Sequence, residues 1–167
     1  MNLIAAVSKN WGIGRENGLL FHLPQDMKFF RETTAGKVVV MGRKTLESFP
    51  NQKPLPNRTN IVLTKNPEYT KEGVILCHDI KELFETLAAY NPEDVFLCGG
   101  AAIYRLLLAY CKKAYITKVD AEAVADSFLP SLDTEPGWVL KKSSQPVDDH
   151  GHMIVFHTYE NMNWKAY

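Results

Sequence analysis

Asp26 sits in the stretch Leu23-Pro24-Gln25-Asp26-Met27-Lys28-Phe29-Phe30, just after a glycine-rich segment. Pro24 suits the first turn of a helix, and at 3.6 residues per turn the carboxylate lies over Phe29 and Phe30, while Lys28, Arg31 and Glu32 point elsewhere. Helices turn their apolar stripe to the core. A lone acid among Leu23, Met27 and Phe30 is therefore either a helix-start charge at the rim or a residue of a binding site.

Two strand-to-glycine-to-helix junctions have the makings of an anion cradle, because a helix N-terminus presents free N–H groups and a glycine lets the ligand approach the backbone. At Gly99-Gly100 a strand signal ends and a helix signal begins within two residues. At Gly42-Arg43-Lys44-Thr45 the first turn adds two positive charges and a hydroxyl, and Thr64-Lys65 ends the next strand in the same way. The plainer alternative is that glycines often end strands and that Arg-Lys is a solvated helix start. Neither junction matches a standard nucleotide fingerprint. Gly12-Ile13-Gly14 lacks the third glycine of a dinucleotide motif, and Gly42-Arg43-Lys44-Thr45 lacks the Gly-Lys order of a P-loop. No acid stands where a ribose 2′-hydroxyl clamp is expected, whereas positive groups follow two strand ends, which favours NADPH over NADH.

The elements that must position these groups alternate along the chain. Leu3 to Val7 reads as a buried strand, Asn10 to His22 as a long loop with an Asn17-Gly18 turn, and Pro24 to about Thr34 as helix. Strand signals follow at Lys37 to Met41, Asn60 to Leu63, Val74 to Cys77 and Val95 to Cys98. Helix signals lie at Gly42 onward, Ile80 to Tyr90 and Ala101 to Tyr110. That alternation implies parallel strands with crossovers. From Ala114 the runs are extended only, at Ala114 to Val119, Trp138 to Lys142 and Met153 to Tyr159, so the C-terminal third is expected to be antiparallel. The fold class is α/β: one domain over 1–167 with a mostly parallel central sheet of about eight strands, antiparallel C-terminal strands and about four flanking helices.

Composition excludes several function classes. A chain of 167 residues with 46% hydrophobic content buries roughly 70% of the surface it exposes when unfolded, so it needs no metal or disulfide staple. Cys77, Cys98 and Cys111 are odd in number and lack C-x-x-C spacing, which suits reduced thiols. Equal numbers of acidic and basic residues give no electrostatic case for nucleic acid or an anionic membrane. The first residues lack a charged leader, and no apolar run reaches the roughly 20 residues of a membrane span. A soluble cytoplasmic monomer is expected.

The ordered motifs resemble the dihydrofolate reductase family of bacteria. The likeness runs through Ile4-Ala5-Ala6-Val7, Ile13-Gly14 with Asn17-Gly18, Leu23-Pro24-Gln25-Asp26, and Val40-Met41-Gly42-Arg43-Lys44-Thr45 with Ser48. It continues through Pro54-Leu55-Pro56-Asn57-Arg58-Thr59-Asn60-Ile61-Val62-Leu63, Gly99-Gly100-Ala101-Ala102-Ile103-Tyr104, Ile116-Thr117 and Asp126. Residues 66 to 93 and 131 to 150 carry little of it. Each motif is weak alone, but their order and spacing are specific.

The resemblance implies NADPH-dependent reduction of 7,8-dihydrofolate to tetrahydrofolate, by hydride transfer to C6 and protonation at N5. That reaction supports one-carbon metabolism and the synthesis of thymidylate, purines and amino acids. It also implies binding of antifolate inhibitors and no metal. A pterin presents a flat, amidine-like edge, so Asp26 would accept two parallel bonds from it and Thr117 would orient the carboxylate. Burial should favour the neutral acid and pterin binding the anion, with the proton reaching N5 through water. Ile4, Ala5, Met27, Phe30, Phe49 and Leu55 would line the substrate, Leu19 and Phe21 would close over it, and Arg58 would fork onto the glutamate α-carboxylate. Ala6, Ile13 and Gly14 would line the nicotinamide, and Gly42, Thr45, Gly99, Gly100, Ala101 and Ala102 the pyrophosphate. Arg43, Lys44, Leu63, Thr64 and Lys65 would face the 2′-phosphate and its surroundings, with Cys98 and Tyr104 nearby. The loop from Asn10 to His22 would be a lid that excludes water.

Some positions depart from the family's common pattern. Leu19 replaces a frequent methionine, Phe21 a frequent tryptophan and His22 a frequent asparagine. Phe21 lacks the indole N–H that can hold a site water, so a differently built water relay is the expectation here. Cys98 stands where a branched aliphatic or phenylalanine is usual, and reads as a small buried hydrophobe. Asp148-Asp149-His150-Gly151-His152 offers metal-ligand types but reads as a polar hairpin turn, the C-terminal aromatics as an exposed tail, and Tyr104, from its position alone, as half-buried. Two other functions remain: a non-catalytic NADPH or pterin sensor, and a reductase of a pyrimidine intermediate. The first has no need of a proton source at Asp26, the second none of Arg58.

Overall fold

A computed structural model describes residues 1–167. Its parallel strands are apolar because both of their faces are covered. These strands are β1 (Asn2–Val7), β3 (Val38–Gly42), β4 (Thr59–Leu63), β5 (Ile75–Cys77), β6 (Val95–Leu97) and β7 (Lys113–Val119). They pair in the order β7-β1-β6-β3-β4-β5, all parallel. The long strand β11 (His152–Asn161) joins β7 antiparallel, and β10 (Val147–Asp149) and β9 (Trp138–Ser143) share its outer edge.

Alternation along the strands sorts side chains to two faces. On one face Leu3, Val7, Val40, Ile61, Leu97 and Ile116 belong to the larger core, which α3 (Ile80–Leu87) and α4 (Ala101–Leu107) cover through Leu83, Leu87, Tyr104 and Leu107. On the other face Ile4, Val39, Met41, Val62 and Phe96 form a smaller core. It is covered by Leu46 of α2 (Arg43–Glu47) and by Phe29 and Phe30 of α1 (Pro24–Thr34).

The expected class and helix count agree with this architecture, with three differences. The antiparallel part begins at β11, since β7 pairs parallel with β1: the helical crossover of α4 returns the chain in the same direction. The expected helices to Tyr90 and Tyr110 end at Leu87 and Leu107, the latter tightening into a 3-10 turn over Leu108–Tyr110. The Asn10 to His22 loop contains a short strand, β2 (Gly12–Gly14), paired with β8 (Ser127–Phe128). Its turn centres on Glu16 and Asn17, both at positive φ, with Arg15 and Gly18 exchanging backbone bonds. The C-terminal aromatics are not all a free tail. Tyr167 stacks on Phe84 with ring centroids 5.1 Å apart, covering that helix.

Candidate active site

Asp26 lies on the third helical residue of α1 and turns toward the sheet. Its Oδ1 accepts a 2.6 Å hydrogen bond from the Thr117 hydroxyl. Thr117 is almost fully buried on β7 and stands in register with Ala6 of β1 and Phe156 of β11. Phe29 packs on that Phe156, so the aromatic face of α1 seats the helix and brings the acid to the threonine. Burial pushes the Asp26 carboxyl above the ordinary carboxylate range, the Thr117 bond opposes that shift, and the nearby Asp149 adds to it. Asp26 is therefore not a solvated helix-start charge.

The smaller core gathers most of the residues expected around the substrate. Ile4 is buried in it, and Phe30, Phe49, Leu55 and Cys98 pack against it. Met27 is 47% exposed and does not help to bury the acid, because it lies a further 100° around the helix toward solvent. Ala5 faces the opposite side of the sheet and packs on the larger core with Ile13, while Ala6 shares the side of Thr117. Arg58 is half-buried beside Phe30. Its Nη1 donates to Thr34 Oγ1 at 3.1 Å, its Nε to the Pro56 carbonyl at 2.9 Å, and its guanidinium lies 6.0 Å from the Phe30 ring centre. Nη2 is left to meet an anion from solvent.

The two glycine junctions meet. A Cβ built on Gly100 would lie 3.6 Å from Thr45 Oγ1, one on Gly42 would press on Ile103 at 3.1 Å, and Gly99, at φ +115°, has the Tyr104 ring at 3.3 Å. Gly42 donates its N–H to the Gly99 carbonyl at 2.9 Å. α3 is capped by the Asp79 side chain, but α2 and α4 begin at Gly42 and Gly100 with no side-chain cap. Their first N–H groups thus remain for an external acceptor. Ala101 is partly covered at the start of α4, and Ala102 is exposed beside it. Leu63 and Thr64 are buried at the end of β4, with Lys65 exposed next to them. Lys44 is also exposed, but Arg43 is engaged: it pairs with Glu47 at 2.9 Å within its own helix turn and lies 6.0 Å from the Tyr69 ring.

Tyr104 is buried instead of half-buried, and its hydroxyl donates to the Ile4 carbonyl at 2.8 Å, tying α4 to the strand beside Asp26. Burial raises the Cys98 thiol to about 12, against the pull of Arg58, so it stays protonated and fits the reading as a small hydrophobe. Leu19 is 78% exposed in the Asn10 to His22 loop and is not brought to Asp26. Phe21 packs with the cluster of Leu23, Val119 and Ile154, and its ring lies 5.0 Å from His152.

Four polar residues outside the expected site tie its segments together. Asp126 Oδ2 accepts the Glu16 N–H at 2.9 Å, pinning the turn between Arg15 and Gly18, and Asn17 Nδ2 reaches the Lys44 carbonyl at 3.0 Å. Asn60, buried in β4, bonds both backbone groups of Leu55 and the Arg58 carbonyl, so it shapes the Pro54 to Arg58 loop. An asparagine inside the apolar run Thr59–Leu63 was the available signal, since a buried amide must find partners. Asp149, read only as part of a hairpin turn, is buried and accepts the N–H groups of Gln25 and Asp26 at 3.1 and 3.0 Å. The turn itself is as expected, formed by His150 and Gly151 at positive φ between β10 and β11.

The chain is similar to known proteins along nearly its whole length. A family model described as dihydrofolate reductase matches residues 1–161. Dihydrofolate reductase of Bacillus subtilis is 36% identical over 165 residues, covering 98% of this chain and 95% of its own. That of Buchnera aphidicola is 41% identical over 138 residues, 83% of each chain. The solved structure of dihydrofolate reductase from Enterococcus faecalis, complexed with NADP(H) and RAB-propyl, superposes with a TM-score of 0.85 at 34% identity, covering 95% of this chain and 94% of that one. From its sequence and its fold, this chain belongs to the dihydrofolate reductase family.

Proposed function

We propose that this protein reduces 7,8-dihydrofolate to 5,6,7,8-tetrahydrofolate, consuming NADPH and one proton per turnover, with Asp26 as the group that binds the pterin and controls the proton. The observation that carries the assignment is the Thr117-oriented, partly buried Asp26 carboxyl. A pterin's adjacent N–H donors match its two oxygens, and their approach converts the neutral acid to the carboxylate. Held at that far edge of the ring, Asp26 passes its influence to N5 through water instead of by direct contact. Phe30, Phe49, Leu55 and Ile4 would flank the ring system, and Arg58 would receive the glutamate carboxylate through Nη2 and the remaining Nη1 hydrogen.

The residues present fit NADPH. Glycines at 42, 99 and 100 leave space that a Cβ would fill, the N–H groups of α2 and α4 have no side-chain caps, and Lys44 and Lys65 supply positive charge for a 2′-phosphate. When bound, the cofactor supplies the hydride for C6. The chain's own contribution is to hold the pterin, to close the lid through Asp126 and Asn17, and to keep the proton available. Asp26 and Thr117 already meet within the chain, so the reading requires no partner subunit and a monomer suffices, and three free cysteines support a reducing, cytoplasmic setting. Antifolate inhibitors would occupy the pterin cleft.

The test is to mix the purified protein with dihydrofolate and follow loss of the reduced-cofactor absorbance with NADPH or NADH. Turnover with NADPH, and a much lower kcat/KM with NADH, is expected. Absence of dihydrofolate-dependent loss at every pH would refute the assignment.

A further inference from the structure

We propose that Asp149, from the far end of the chain, is a positioning residue for Asp26: it fixes the first turn of α1 and offsets the pull of that turn's N–H groups toward the ionised acid. The local sequence leaves this job undone. Leu23 is the N-cap residue and makes no side-chain cap bond, and Pro24 fills the first helical position. The next two N–H groups, of Gln25 and Asp26, each go to one oxygen of Asp149, at 3.1 and 3.0 Å. Asp149 is 1% exposed, and the Gln25 side chain also donates to the Asp148 carbonyl at 2.6 Å, so the hairpin grips the helix start at three points.

An acid in the first turn of a helix is ordinarily stabilised as the anion, because the free N–H groups carry partial positive charge. Asp26 occupies such a place but must remain protonatable. With Asp149 taking the two nearest N–H groups, that stabilisation is spent on another carboxylate, and the second negative charge opposes ionisation of Asp26 directly. The repulsion acts in the same direction as burial.

The other groups facing this region are few. From β7 the neighbour is the Thr117 hydroxyl, which donates to Asp26 and opposes the shift. From the hairpin, Asp148 is exposed, His150 faces the His22 ring at 5.2 Å and His152 faces Phe21. On α1 itself, Lys28 pairs with Glu32 on the exposed side, where Arg31 also lies. Asp149 is thus the charged group that bonds the turn carrying Asp26.

The inference rests on the assignment of Asp26 as the proton-controlling group, and two readouts separate them. In ligand-free protein, NMR titration of the Asp26 carboxyl carbon is compared between the wild type and Asp149→Asn, with Asp26→Asn used to assign the signal. The asparagine keeps an acceptor oxygen and removes the charge, so the Asp26 midpoint falls. In the pH profile of kcat/KM, which reports the free enzyme, activity is lost more at pH 8 than at pH 5, so the ratio of the two falls below the wild-type ratio. Asp149→Ala removes the acceptors too. It lowers Tm further and speeds amide exchange at Gln25 and Asp26, and the midpoint falls here as well. Asp149→Ser, an uncharged acceptor, serves the same comparison should the amide variant not fold. A midpoint that is unchanged or raised in the uncharged variants overturns the proposal, even if Tm drops, because it leaves only an ordinary cap. A lowered midpoint in a protein that turns over no dihydrofolate sustains the positioning role and removes the functional assignment instead.

Discussion

At the scale of single residues, the site depends on a carboxyl kept in an environment that disfavours its charge. Asp26 titrates higher in the folded protein than in the unfolded chain, mainly through burial. Between the unfolded value of about 4 and the folded one, the native state therefore binds more protons, and stability decreases as pH rises through the folded value. Above it, the native protein carries the full cost of the buried charge. Asp26→Asn removes that cost while keeping an oxygen for the Thr117 donor. Its Tm should exceed the wild-type value at pH 8 by a few degrees, and the difference should shrink on acidification and vanish below about pH 4. Equal Tm differences at pH 8 and pH 4 in thermal melts would show that the charge is not the cause. The stabilisation accompanies a loss of function, as expected where a site stores an unfavourable group. The sequence exposed this residue because an acid on an apolar stripe is rare; it hid Asp149, whose partners lie more than a hundred positions away.

At the scale of elements, the site is held by segments borrowed from one another. The strand-glycine-helix junctions were legible, since glycine between a buried run and a helix signal has a local cause. Tethers between loops had none. The segment from Asn10 to His22, proposed as a lid, was legible as a loop by its glycines, but not as a strand, because Gly12–Gly14 is extended only through pairing with Ser127–Phe128. Asp126 completes that tether by accepting the Glu16 N–H between two exposed segments. Replacing it with alanine forfeits one charge-assisted bond, about 1 kcal/mol or roughly fivefold. The expected readout is NADPH binding weakened by about that factor, measured by calorimetry or fluorescence, with little change in Tm. Asp126→Asn, which retains an acceptor, should recover part of the loss. Unaltered NADPH affinity in the alanine variant would mean that the lid turn does not contribute to cofactor binding.

At the scale of the whole molecule, two cores on opposite faces of one sheet divide the labour. The larger, under α3 and α4, carries most of the burial; the smaller, under α1 and α2, gathers Ile4, Phe30, Phe49 and Leu55, the residues proposed to flank the substrate. Binary patterning made both visible in outline, because continuous apolar runs such as Val38–Gly42 have no solvent face to offer. It could not say which way β7 runs, since a strand's own residues do not record the direction of its neighbour. Nor could it tell that Met27 and Leu19 lie in solvent while Tyr104 lies inside, because burial at a cleft edge is decided by tertiary packing. What the molecule achieves as a unit is to bring a carboxyl from the first quarter of the chain against a hydroxyl from the last third. The most direct measurement is the rate of dihydrofolate-dependent NADPH oxidation as a function of pH for the wild type and Asp26→Asn. The wild type should lose rate as pH rises through the Asp26 range, and the variant should be about a hundredfold slower at neutral pH and have lost that dependence. A variant that matches the wild type at neutral pH, or follows the same pH curve, would contradict the account.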